Sequence, residues 1–274
     1  MTNKEKIKVL FQLARKIFKN PISLFQVFKD ETEFQHYLQK KYGRTQFPTT
    51  DLSQFLIQDM AVIDNYTFLE GSSLITDLAL LRSLASSFET CNYLEIGTWR
   101  GESLLNVASI ANNCTSITLS RNDILAMGLP EKYARLQGCL INNQPNIKIL
   151  HANSRLFDFN SLNQKYDLIY IDGDHSYEGV KSDTKNVFSL LKNDDSIIVW
   201  HDYGYNPESP RHSVIAAILD GLPAKEHNHL FHVSNTMCAI YSKKTLKASN
   251  CNFPVTPDKI FEIKIRISHF EASY

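Results

Sequence analysis

The stretch Tyr93-Leu-Glu-Ile-Gly-Thr-Trp-Arg-Gly-Glu-Ser103 constrains the fold of this chain more than any other. A short apolar run ends in a carboxylate, two glycines follow, and helical spacing begins beyond them, so the reading is strand, tight turn, helix. Gly97 and Gly101 are expected where a ligand lies against the turn, because a Cβ there would hold the backbone away from it. Their spacing is Gly-x-x-x-Gly, and Trp99 stands where a dinucleotide fingerprint needs its second glycine, which disfavours a nicotinamide cofactor. Glu95, at the carboxyl end of the strand, suits a ligand carrying positive charge, such as an amino-acid ammonium. An ordinary strand-to-helix turn would look much the same, so the rest of the chain has to decide.

Downstream, strands and helices alternate. Leu74, Ile75, Leu78, Leu81, Leu84, Ala85 and Phe88 recur at helical spacing and lead into the strand 93–96. Further strands are expected at 116–119, 147–150, 167–171 and 196–200, with helices after the glycine turn, from Glu131 and over 177–191. This alternation implies an α/β fold with a doubly wound, mostly parallel, Rossmann-like sheet. A helix at 214–219 and closing strands within 232–241 complete it. The expected organisation is an N-terminal helical extension over 1–65, a ligand-binding domain over 66–245 and a tail over 246–274, with one more strand at 260–267.

Composition narrows the partners. Lysine plus arginine and aspartate plus glutamate both number 29, so net charge gives no argument for a nucleic-acid partner. Five widely spaced cysteines without a Cys-x-x-Cys pair read as reduced thiols. No apolar run is long enough to span a bilayer, and Arg15-Lys16 interrupts the apolar N-terminus as a secretory signal would not allow, so a cytoplasmic location is expected. Over residues 1–20 an amphipathic helix carries six basic residues against Glu5. It is expected to make a homo-oligomeric subunit contact in preference to an anionic membrane surface.

In open α/β sheets ligands lie beyond the carboxyl ends of the strands, so the polar residues just after each strand are the informative ones. After the fourth strand come Asp172-Gly-Asp-His175, and after the fifth come His201-Asp-Tyr-Gly204. Two Asp/His clusters delivered by separate strands can converge on one point. His227, His229 and His232 alternate like an edge strand and are assigned no site.

The opening stretch resembles the first motif of class I S-adenosylmethionine (SAM) dependent methyltransferases. Segments 167–183 and 190–204 are similar to the group that includes macrocin O-methyltransferase, and together the motifs cover about residues 73–245. The resemblance implies that Glu95, Gly97, Thr98, Gly101, Ser103 and Asp172 hold SAM, with Ser154 contacting its adenine or ribose. It implies a divalent cation, manganese or magnesium, on Asp172, His201 and Asp202, and catalysis by His175, His201 and Asp172. The implied reaction is O-methylation of a small polar or sugar-bearing acceptor. Relatives resembling cephalosporin hydroxylases, or a non-catalytic SAM-binding module, are the alternatives.

Two departures matter. His201 stands where the group has a carboxylate, and imidazole suits manganese, iron or zinc better than magnesium, so either the metal differs or it has been lost and His201 or His175 serves as base. At the end of the second strand, where an acidic residue usually meets the ribose, this chain has Ser120-Arg-Asn-Asp123.

Overall fold

The computed structural model describes residues 31–142, 144–252 and 254–269. The chain divides into two compact units, the second beginning at Gln46. In the first, helix α1 (Glu31–Tyr42) opens with Glu31 and Glu33 and closes with Lys40 and Lys41, the charge order that a helix dipole favours. The basic helix expected over 1–20 lies outside the described residues.

Eleven strands are described in the second unit: β1 (Thr49–Thr50), β2 (Asn92–Ile96), β3 (Asn113–Thr118), β4 (Ile147–His151), β5 (Leu168–Ile171), β6 (Ile197–Trp200), β7 (Gly204–Asn206), β8 (Ser209–Pro210), β9 (Leu230–Val233), β10 (Ala239–Tyr241) and β11 (Ala248–Ser249). Nine form one sheet in the order β11-β1-β9-β10-β6-β5-β2-β3-β4, and β7 and β8 pair as a separate hairpin. The pairs from β4 across to β6 are parallel, whereas β10 runs antiparallel to both β6 and β9. Every residue of β5 and β6 is buried, as their unbroken apolar runs demand of central strands covered on both faces. Edge strand β4 is only half-buried, with Lys148 and His151 turned outward, which protects an open edge from further pairing.

Six helices connect these strands: α2 (Ile75–Ser86), α3 (Glu102–Ala108), α4 (Arg121–Ala126), α5 (Glu131–Ala134), α6 (Tyr177–Phe188) and α7 (His212–Gly221). Helix α6 starts where Ser176 Oγ accepts a hydrogen bond from Gly179 N at 3.2 Å. It buries Val180, Thr184 and Val187. It crosses α7 so closely that a Cβ on Gly221 would stand 2.8 Å from Thr184 Cβ. One core joins Leu78, Leu81 and Leu84 of α2 to Tyr93, Leu104, Val107, Leu168, Ile197 and Ile240. Truncating any of these leucines to alanine should cost about 2–5 kcal/mol.

The fold is thus the doubly wound, mostly parallel sheet that the alternation implies, with differences at both ends of the chain. The tail 260–267 forms no strand, and Ile260, Ile263, Ile265 and Ile267 are exposed. Its alternation of isoleucine with charge has the right period for a strand but no ladder partner. Instead Ala248–Ser249 pairs with Thr49–Thr50, a strand inside the stretch read as helical. Two bonds to the β9 segment hold that strand, His232 N to Pro48 O and Ser234 N to Thr50 O, both 2.9 Å.

Register positions the site. Ile96, Ile171 and Trp200 sit side by side on β2, β5 and β6. Gly97, Asp172 and His201 are therefore the first residues beyond three adjacent strand ends. Winding reverses between β2 and β5, which makes this the switch-point crevice where α/β sheets bind ligands.

Candidate active site at the carboxyl ends of the strands

Glycine is required in the turn after β2, though not chiefly for a ligand. Gly97 has φ 88°, and a Cβ there would lie 2.1 Å from the carbonyl oxygen of Asp172. Gly101, at φ 98°, would set a Cβ 2.6 Å from the Ile141 side chain. Both glycines answer close packing within the protein as well as their left-handed backbone. Trp99 also adopts a left-handed φ of 43°, which is costly for a bulky residue, and its ring centroid lies 4.4 Å from that of Tyr133. Thr98 is buried and its hydroxyl bonds to Ser116 Oγ. Arg100, also buried, reaches Glu70 O at 2.9 Å and Ser72 Oγ at 2.8 Å, while Glu102 accepts from Thr67 N at 2.7 Å. The turn is thereby fastened to the loop 67–72.

Glu95 lies beneath this turn, fully buried. Tyr93 OH donates to its Oε2 at 2.6 Å and Ser103 Oγ to its Oε1 at 3.1 Å. Burial drives its carboxyl up to about 8, the Tyr93 and Ser103 hydroxyls offset part of that rise, and the Asp172 charge adds to it. Among the described residues none of the groups acting on it is cationic, so they supply no counter-charge for this buried acid.

Two carboxylates and two imidazoles meet beside it. Asp172, with Tyr170 OH donating to its Oδ2 at 3.2 Å, has Oδ1 3.1 Å from His201 Nδ1. Asp202 Oδ1 lies 3.5 Å from the same nitrogen, and its Oδ2 contacts His175 Nδ1 and lies 3.7 Å from Arg211. Despite those distances His201 Nδ1 is buried and has no hydrogen-bond partner, because neither carboxylate meets it in a bonding orientation. Its other nitrogen, Nε2, is 3.3 Å from Asp77 Oδ2. Burial would lower the imidazole, but the Asp172 and Asp77 carboxylates outweigh it and lift His201 to about 10. Burial would raise Asp172, and the neighbouring His201 charge reverses that, holding it below the usual carboxylate range. His175 moves the other way. Burial is the largest effect and lowers it, and the charges of His201 and Arg211 add to that against the pull of Asp172. His175 is accordingly neutral near pH 7, and its ring is partly exposed. Asp202 takes a left-handed φ of 56°, which asparagine and aspartate tolerate better than most residues.

Asp172, His175, His201 and Asp202 therefore come together, with Glu95, Gly97 and Ser103 one strand away. Ser154 follows β4 on the far side of that turn and is half-exposed beside Asp183, a fully buried carboxyl pushed up to about 6 by burial. Asp123, the remaining acid after β3, accepts from Ser120 N at 2.9 Å and Ser120 Oγ at 2.6 Å and so caps α4. Asp174 Oδ1 accepts from Ser176 N at 2.9 Å ahead of α6. Sequence reasoning missed Asp77 and Arg211. Asp77 sits at the third residue of a helix, where an acid reads as a cap, and Arg211 precedes α7 in a segment without periodicity.

Sheet order, antiparallel β10 and the switch-point site together define the Rossmann-like fold of class I methyltransferases. Residues 94–203 match the family described as a methyltransferase domain, which takes in β2 to β6 and less than half of the chain. No curated protein matches it significantly. Among solved structures it is similar to a candidate caffeoyl-CoA O-methyltransferase from Staphylococcus aureus, at 17% identity over 82% of this chain and 98% of that one, TM-score 0.45. An O-methyltransferase from Bacillus cereus in complex with SAH is 16% identical over 64% and 84%, TM-score 0.45. The N-methyltransferase NodS from Bradyrhizobium japonicum is 14% identical over 60% and 92%, TM-score 0.38. Likeness at this level assigns no chemistry to this chain. Among the described residues no helix is long and apolar enough to cross a membrane.

Proposed function

We propose that this protein transfers a methyl group from SAM to an oxygen of a small polar or sugar-bearing acceptor. The observation that carries the reading is the convergence, past three adjacent strand ends, of a buried acid lacking a counter-charge with a pair of carboxylates flanked by two imidazoles. SAM brings a sulfonium and an ammonium, and a cation above the Gly97 turn would supply the charge that Glu95 lacks. When bound, SAM offers a methyl carbon that leaves sulfur with little activation.

The chain's own residues have two tasks, positioning and proton removal. His175 suits the second. Its Nδ1 donates to Asp202, which leaves Nε2 with a lone pair to take the acceptor's hydroxyl proton as the oxygen–carbon bond forms and the carbon–sulfur bond breaks to a neutral thioether. His201 is unsuited to it, its side chain being only 9% exposed and already protonated at neutral pH.

The residues also fit a divalent cation. Nδ1 of His201 is an orphaned buried nitrogen facing two carboxylates at 3.1 and 3.5 Å, and Asp172, His201 and Asp202 would hold the ion. Bound there, it would polarise the acceptor oxygen and replace the proton that His201 otherwise keeps. Imidazole favours manganese or a later metal over magnesium. One observation favours a second reading. His175 offers a ligand atom within 4.8 Å of those of Asp172 and Asp202, a set of one imidazole and two carboxylates that leaves out His201 and would admit iron and a hydroxylase-like reaction.

Isothermal titration with SAM and with NAD tests the cofactor. Binding of SAM alone is expected, and binding of NAD alone would overturn the reading. Product mass then separates addition of a methyl group from addition of oxygen.

A further inference from the structure

We infer that Asp77, on α2, is the positioning residue that holds the His201 ring by its Nε2, so that Nδ1 is the nitrogen presented beside Asp172 and Asp202. The inference rests on the divalent reading of that centre and deepens it.

Asp77 belongs to no strand end and stands 124 residues from His201 in sequence. It is completely buried. Three donors fix its carboxylate apart from the imidazole. Leu74 N donates to Oδ2 at 2.8 Å, Met237 N to Oδ1 at 2.8 Å, and Cys238 Sγ lies 3.5 Å from Oδ1. These come from the first turn of α2 and from the turn between β9 and β10, so the carboxylate cannot swing away without breaking bonds in both places. Both Asp77 oxygens act as acceptors toward backbone N–H groups, and Nε2 of His201, 3.3 Å from Oδ2, takes the donor's part in that contact.

With Nε2 engaged by Asp77, Nδ1 is the nitrogen left to meet a cation. That nitrogen is the one without a hydrogen-bond partner, and it lies 3.1 Å from Asp172 Oδ1 and 3.5 Å from Asp202 Oδ1. Histidines that bind metals commonly donate their other N–H to a carboxylate, which fixes the ring and strengthens the ligating nitrogen, and losing that partner typically costs 10–100-fold in metal affinity. A carboxylate at position 201 would have no second nitrogen to orient. His201 and Asp77 thus form one device, in which the ligand needs a buried partner to present the correct atom.

The test uses the full-length protein and Mn²⁺ alone, with affinity read by electron paramagnetic resonance of the free ion. Asp77→Asn should weaken Mn²⁺ binding about 10–100-fold in protein that keeps its circular dichroism spectrum. In a His201→Ala background Asp77→Asn should cost no further affinity. An equal loss with and without His201 would mark Asp77 as merely structural and overturn the inference. Failure of the wild type to take up Mn²⁺ would instead remove the divalent reading, and the inference with it.

Discussion

Glu95→Gln should stabilise the ligand-free protein, an unusual expectation for a residue at the centre of a binding site. The Glu95 carboxyl is fully buried and lifted from 4.5 to about 8. At pH 7 the folded protein therefore holds it protonated, whereas the unfolded chain leaves it ionised. Each unit between the two values is worth about 1.4 kcal/mol, so the wild type gives up about 3 kcal/mol at pH 7. The sign follows from proton counting. Between pH 4.5 and 8 the folded state binds more protons than the unfolded state, so stability falls as pH rises through that window and levels off above it. Glutamine is isosteric and cannot ionise, and its amide can still meet the Tyr93 and Ser103 hydroxyls, which can turn to accept as well as donate. Urea unfolding from pH 5 to pH 9 should show the wild type losing several kcal/mol across the range relative to a flatter variant. At pH 7 the variant should lead by up to about 3 kcal/mol, less whatever hydrogen bonding the swap degrades. SAM affinity should drop sharply in the same variant, because glutamine cannot release a proton to become the anion that a sulfonium or ammonium would pair with. A variant less stable than wild type at every pH would refute the account of Glu95 as an uncompensated buried acid.

Gly97→Val should lose structure as well as SAM binding, because even a Cβ at this position meets the Asp172 carbonyl at 2.1 Å; thermal melting should show destabilisation of about 3 kcal/mol or more. If catalysis uses His175 as base, kcat/KM should fall as pH drops through a value below 6.5, since its imidazole is lowered, and His175→Ala should slow turnover about 10²-fold with little change in SAM affinity. EDTA should abolish turnover and Mn²⁺ restore it better than Mg²⁺, with His201→Asp reversing that preference; turnover that survives full chelation would exclude the divalent centre.

The central sheet was legible because its strands are buried on both faces, so β5 and β6 appear as apolar runs closed by charged residues. That placed Asp172, His175, His201 and Asp202 at strand ends before their distances were known. What the linear pattern could not carry was the role of residues that act across the fold. Asp77 looks like a helix cap, and it is one through Leu74, but its other oxygen serves the turn between β9 and β10 and its remaining reach goes to His201. The need for Gly97 was legible and its cause was not, since the atom that excludes a side chain belongs to a strand 75 residues away. The alternating isoleucines of the tail illustrate the opposite failure. Period two describes a segment able to pair, whereas pairing depends on an open edge at the right place, and β1 accepts Ala248–Ser249.

That contact between Gly97 and the Asp172 carbonyl also bears on how two substrates would be brought together. The turn that would carry the methyl donor and the carboxylate that would meet the acceptor touch through backbone, on neighbouring strands joined by the hydrogen bond from Asp172 N to Ile96 O at 2.8 Å. Their separation is a property of the sheet, as fixed as the spacing of rungs on a ladder. Differences in acceptor size would then have to be absorbed away from these two strands, while the distance over which a methyl group travels stays constant.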